Sequence, residues 1–133
     1  MQSRTGSFDG RVAYARSKRA DVVLAERWAE EFAGTGVVVH AMHPGWADTP
    51  GIKSSIPTFQ RIMRPLLRTP AQGADTIVWL AAAEEPGRIT GRFWCDRHVR
   101  ATHRLARTQE TAADRDRLWH ALDALAAGAS ARI

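Results

Sequence analysis

An α/β fold built on a parallel sheet is what this sequence predicts, and three observations point to it. A helix-patterned stretch, Tyr14 to Ala33, leads through Gly34-Thr35-Gly36 into the run Val37-Val38-Val39-His40-Ala41-Met42, which ends at the turn-forming Pro44-Gly45. That run is almost unbroken in its apolar character, as suits a strand covered on both faces. A second strand pattern, Gly91-Arg92-Phe93-Trp94-Cys95-Asp96-Arg97, follows another helix. Helix, turn, strand and loop make half of a βαβ unit, and in open α/β sheets ligands bind at the carboxyl ends of the strands.

Each element has a local cause. In the first helix Ala25, Trp28, Ala29 and Phe32 fall on one apolar stripe at helical spacing, with Gly34 as the C-cap, so Trp28 reads as core rather than as a ligand platform. Between Pro50 and Thr69 a proline-punctuated segment holds one short helix, Phe59 to Leu67. Thr69-Pro70-Ala71-Gln72 combines a capping box with proline at the first helical position; its helix runs through Ile77-Val78-Trp79-Leu80 and ends before Pro86-Gly87. A last helix, Ala112 to Ala127, puts Leu118, Trp119, Leu122 and Leu125 on one side, with Gly128 to stop it.

Composition narrows the function classes. With 133 residues, 44% hydrophobic and 25% charged, the chain matches ordinary globular usage for one domain. No secretory signal is visible, and the longest apolar run, Ile77 to Ala83, is far short of the roughly 20 residues that span a bilayer. Cys95 is the only cysteine, which fits a reducing, cytoplasmic setting. The net charge is +5, and the basic residues are densest from Arg88 to Arg107. That segment reads as solvated arginines partnered by nearby acids, not as a nucleic-acid arm, because no stacking aromatics are interleaved. A metal site is not expected: His40 and His43 would face opposite sides of a strand, and the other histidines have no zinc-ligand spacing with Cys95.

The chemistry is concentrated at Tyr14-Ala15-Arg16-Ser17-Lys18. Residues i and i+4 share a helix face, so the phenol and the ammonium can meet over one bound ligand. A free tyrosine loses its proton near pH ~10, and a cation held close favours the phenolate, so the pair suits an acid/base centre.

Tyr-x-x-x-Lys, the helix that carries it, the following strand, and Pro44-Gly45 with Thr49 resemble the second half of a short-chain dehydrogenase/reductase. The longer match adds Phe8-Asp9-Gly10, Glu26-Arg27-Trp28, His43 to Gly51, Gln72-Gly73-Ala74-Asp75-Thr76 and Gly91-Arg92-Phe93, and is most similar to the branch containing dehydrogenase/reductase member twelve. The resemblance implies the carboxyl-terminal half of a Rossmann-like, doubly wound parallel sheet, with Gly91 to Arg97 as its last strand. It implies NAD or NADP as cofactor and a small alcohol or carbonyl as substrate. Tyr14 would be the general acid/base, and Lys18 would lower the tyrosine pKa and bond the nicotinamide ribose. Pro44, Gly45 and Trp46 would line the nicotinamide pocket, and Thr49 would bond the carboxamide or a phosphate. The segment after Pro50 would select the substrate, and Ile52, Ile56, Phe59 and Met63 are either an apolar wall of that site or ordinary packing.

The chain also departs from that pattern. No Gly-x-Gly-x-x-Gly follows a strand, and neither Ser3 nor Ser7 is a convincing counterpart of the family's catalytic serine; the relay asparagine is also missing. The expectation is therefore a fragment lacking the amino-terminal dinucleotide-binding strands, from a truncated gene, a misplaced start or a partial sequence. Such a chain is expected to be inactive alone and to bind cofactor weakly or not at all. Two alternatives stand beside it: a non-catalytic remnant that self-associates through an exposed sheet edge or helices, and a basic nucleic-acid-associated protein.

Overall fold

The structure, a computed structural model, describes residues 8–48, 61, 63–103 and 105–130. Thr49 and the proposed wall residues Ile52, Ile56 and Phe59 lie outside them, as do residues 59, 60 and 62 of the short helix expected from Phe59 to Leu67; residues 61 and 63 are helical. Near its end, Arg64–Leu66 form a turn of 3-10 helix.

Helix α1 spans Gly10–Glu31, four residues longer at its start than the apolar pattern suggests. Asp9 is the reason: its carboxylate accepts hydrogen bonds from the Arg11 and Val12 N–H groups, capping the first turn. The helix buries Val23, Ala25 and Ala29, whereas Trp28 and Phe32, expected in the core, stay 44% and 42% exposed. The stripe is present, but only its small members meet the sheet.

Strand β1 is His40–Met42, shorter than the Val37 to Met42 run. Val37 and Val38 precede it and are exposed. His43 lies past its end, so the opposite-faces argument for His40 and His43 does not hold. Instead the His40 ring faces the Pro86 carbonyl at 3.1 Å and accepts from the Arg92 N–H at 3.2 Å. Helix α2, Pro70–Ala82, starts as its sequence dictates, with the reciprocal Thr69–Gln72 capping box formed. A short helix α3, Glu84–Gly87, follows at once and takes in the Pro86-Gly87 pair expected to lie beyond a helix.

Strand β2 is Arg92–Cys95 and pairs parallel with β1, so that Met42 faces Trp94. Asp96 and Arg97, expected inside this strand, form a tight turn, both with φ near +57° (56° and 58°). The chain then reverses into β3, His98–Val99, antiparallel to β2. The described sheet is thus a small mixed one in the order β1-β2-β3. Trp94 is its most deeply buried large side chain, meeting His40 and Trp79 edge-on at centroid distances of 5.5 and 5.2 Å. Helix α4, Ala112–Ser130, continues through Gly128 rather than stopping there. It packs on α1, where the Arg27 guanidinium lies 5.6 Å from the Trp119 ring centroid.

No helix among the described residues is long and apolar enough to cross a membrane, and no group of three or more His, Cys, Asp or Glu side chains among them is placed to hold a metal ion.

Candidate functional site

Because Asp9 starts α1 a turn early, Tyr14 and Lys18 sit on fully formed helix. Their side chains share a face: the Lys18 ammonium lies 5.9 Å from the Tyr14 ring centroid. Tyr14 is 65% exposed, so its phenol is open to a ligand from solvent. Ser17 turns its hydroxyl back to the Tyr14 carbonyl at 2.8 Å and contributes only to the helix. The partner that the sequence reading missed is Asp21, whose carboxylate accepts from Lys18 at 2.8 Å. That hydrogen bond, then the charge of Asp21, and to a smaller degree Tyr14, hold the lysine above its ordinary pKa. Lys18 is therefore a fixed positive charge at neutral pH.

The second group of expected site residues lies at the corner after β1. Gly45 takes φ +75°, a conformation that favours glycine, and its N–H donates to His43 Nδ1 at 2.9 Å. Ala47 and Arg68 form a parallel bridge: the Arg68 N–H donates to the Trp46 carbonyl and the Asp48 N–H to the Arg68 carbonyl, each at 2.8 Å. Gly73 lets α2 close onto this corner, since a Cβ there would stand 3.0 Å from that of Ala47. Trp46 is 54% exposed on the corner.

The resemblance implied that Pro44, Gly45 and Trp46 line a nicotinamide pocket. On the side-chain side of Gly45 the space is occupied by Arg68. A Cβ at Gly45 would lie 2.7 Å from Cζ and Nη1 of Arg68. The same guanidinium donates to the Pro44 carbonyl at 3.3 Å and to both carboxylate oxygens of Asp96. Asp96 is held below the ordinary carboxylate range by that hydrogen bond, and its turn neighbour Arg97 pairs with Asp75 on α2. No sequence motif marks Arg68 or Asp96.

A third cluster ties α1 to the carboxyl-terminal segment. Arg19 pairs with Glu110, Glu110 bonds His103 at 2.8 Å, and Arg115 pairs with Glu26 and Glu30. These charges satisfy one another and read as a structural clasp. In the basic stretch, Arg88 and Arg97 have the acidic partners the sequence reading called for, Glu84 and Asp75.

No model of a protein family matches the chain, and no solved structure matches it. Curated proteins do. The chain is 44% identical over 127 residues to dehydrogenase/reductase SDR family member 12 from Bos taurus, a stretch covering 94% of this chain and 39% of that protein. The counterpart from Homo sapiens is 43% identical over 131 residues, again with 95% of this chain and 40% of the relative covered. Retinol dehydrogenase 12 from Homo sapiens is 31% identical over 110 residues. The chain spans about two fifths of the length of its member 12 relatives. Over the stretch that it covers, the chain belongs to the short-chain dehydrogenase/reductase family.

Proposed function

We propose that this chain supplies the acid/base part of an NAD(P)-dependent oxidoreductase that interconverts an alcohol and a carbonyl. The observation that carries the proposal is the exposed phenol of Tyr14 with the Lys18 ammonium 5.9 Å from its ring, in a chain homologous to dehydrogenases. Tyr14 Oη takes the proton of the substrate hydroxyl in one direction and returns it to the carbonyl oxygen in the other. Lys18, kept charged by Asp21, stabilises negative charge on that oxygen pair. The residues fit part of a nicotinamide cofactor: Lys18 has N–H donors beyond the one given to Asp21 for ribose hydroxyls, and Trp46 offers an exposed ring at the corner. When bound, the nicotinamide gives or receives the hydride. Pro44, Gly45 and Trp46 border it in this reading, Thr49 bonds its carboxamide or a phosphate, and the β1–β2 pair belongs to a larger doubly wound sheet.

The test is Tyr14→Phe in this chain completed by the remainder of the Bos taurus member 12 protein. Turnover coupled to NAD(P)H should be abolished while cofactor binding persists. Unchanged turnover refutes the assignment.

A second reading is favoured by a separate observation. Val12, Val37, Val38, Ile77 and Val78 are each 40–62% exposed, and β1 has no described partner on its other side. On that reading the chain is an interaction module that associates through apolar helix faces and an open sheet edge. Titration of the chain itself with NADH and NADPH bears on the first reading alone: submillimolar binding supports it, whereas weak or no binding is expected of the isolated chain on either reading, and Tyr14→Phe in the completed enzyme then decides.

A further inference from the structure

Three features stand outside the acid/base pair: the clasp at Glu110, the apolar hollow along α2, and the Arg68 network. The clasp is internally neutralised, and nothing in the structure shows what would cover the hollow. Arg68 carries an inference because several independent contacts converge on it.

We propose that Arg68, held by Asp96, is the positioning residue of the Pro44–Trp46 corner. Its guanidinium fills the side-chain space that Gly45 leaves and holds the Pro44 carbonyl, while its backbone holds Trp46 and Asp48. The proposal rests on the reading above that this corner borders the cofactor.

The geometry requires an arginine. A planar fork reaches the two Asp96 oxygens together and still directs Nη1 at the Pro44 carbonyl; a lysine ammonium is a point donor and cannot span both in this way. Asp96 is presented by the tight turn after β2, at φ 56°. That turn is fixed on its other side by the pair between Arg97 and Asp75. The corner is thereby tied to the β2–β3 turn through Arg68, and the turn in its own right to α2 through Arg97 and Asp75. Besides its positive φ, Gly45 has this close approach: a Cβ there obliges the Arg68 guanidinium to shift.

The experiment is amide hydrogen exchange on the whole chain, comparing wild type with Arg68→Met, Arg68→Lys and Asp96→Asn. Three amides report on the corner: those of Gly45, Asp48 and position 68. Two report on the sheet: those of His43, bonded to the Trp94 carbonyl, and Gly91, bonded to the Val39 carbonyl. The proposal expects the corner amides to exchange at least about tenfold faster in Arg68→Met, less so in Arg68→Lys, with the sheet amides unchanged. Asp96→Asn should behave like Arg68→Lys, which keeps the test alive if Arg68→Met does not fold. A double-mutant cycle tests the contact between the two positions directly. Gly45→Ala should cost less in the Arg68→Met background than in wild type, since the overlap is gone while the positive-φ strain is common to both. Unchanged corner exchange, uniform acceleration of all five amides, or strict additivity overturns the proposal. Because none of these measurements uses a cofactor, their outcome is separate from that of Tyr14→Phe.

Discussion

Glu110 lies between Arg19 and His103, and that placement drives its carboxyl down to about 2 from 4.5, chiefly through the hydrogen bond from Arg19. A depressed carboxylate pKa stabilises the fold above the unfolded-state value and ceases to do so as pH falls through the folded one. The window is therefore pH 4.5 down to about 2. The clasp should contribute on the order of 1–2 kcal/mol above it, after allowance for solvent screening of a partly exposed pair. Urea denaturation at a series of pH values should show this acid loss in wild type and a flatter profile in Glu110→Gln. An equally steep profile in the variant would place the loss elsewhere. At this scale the sequence showed Tyr14 and Lys18 because one helical turn fixes their relation locally. It did not show Arg68 with Asp96 or Arg19 with Glu110, whose partners stand 28 and 91 residues apart. Only the folded sheet and the packing of the carboxyl-terminal segment on α1 bring them together.

Helix α2 was the most legible element because its start is written entirely in Thr69, Pro70 and Gln72. Thr69→Ala removes the hydroxyl that accepts from the Gln72 N–H, while the backbone N–H of position 69 still donates to the Gln72 side chain, and should cost about 1 kcal/mol in chemical denaturation. Gln72→Ala should cost less, since the Thr69 hydroxyl still accepts from the backbone. Equal stability of Thr69→Ala and wild type would mean the cap contributes nothing. Helix α4 offers the opposite sign. Gly128 lies inside its last turns with open space around it, so Gly128→Ala should stabilise by up to about 1 kcal/mol. Glycine there was read as a stop, but a glycine stop acts by taking the left-handed conformation past the helix end, and Gly128 is not among the glycines with positive φ. Strand β3 was missed for the converse reason. Asp96-Arg97 is a hairpin turn without glycine, held at positive φ while each side chain is in an ion pair, with Arg68 and Asp75 respectively. Such a turn is specified by long-range contacts and carries no local signal.

Across the molecule as a whole, the described residues leave an apolar surface uncovered among themselves. Val37 and Val38 lead into β1, a strand at the edge of the described sheet, and Ile77 and Val78 stand out on α2. An open strand edge beside exposed apolar side chains favours association, and a chain spanning about two fifths of its relatives' length has correspondingly fewer partners for those groups within itself. We expect the isolated chain to associate at micromolar concentrations. Sedimentation equilibrium should give a weight-average mass above that of one chain and rising with concentration, with environment-sensitive dye bound at the same time. Val38→Lys places a charge immediately before the open edge and should return the mass toward that of a single chain without loss of helical circular dichroism. A monodisperse monomer with a sharp two-state melt in the unsubstituted chain would contradict the expectation and show that the described core, centred on Trp94, suffices alone. If association persists in Val38→Lys but disappears in Val78→Lys, the contact runs through the exposed face of α2 rather than the sheet edge.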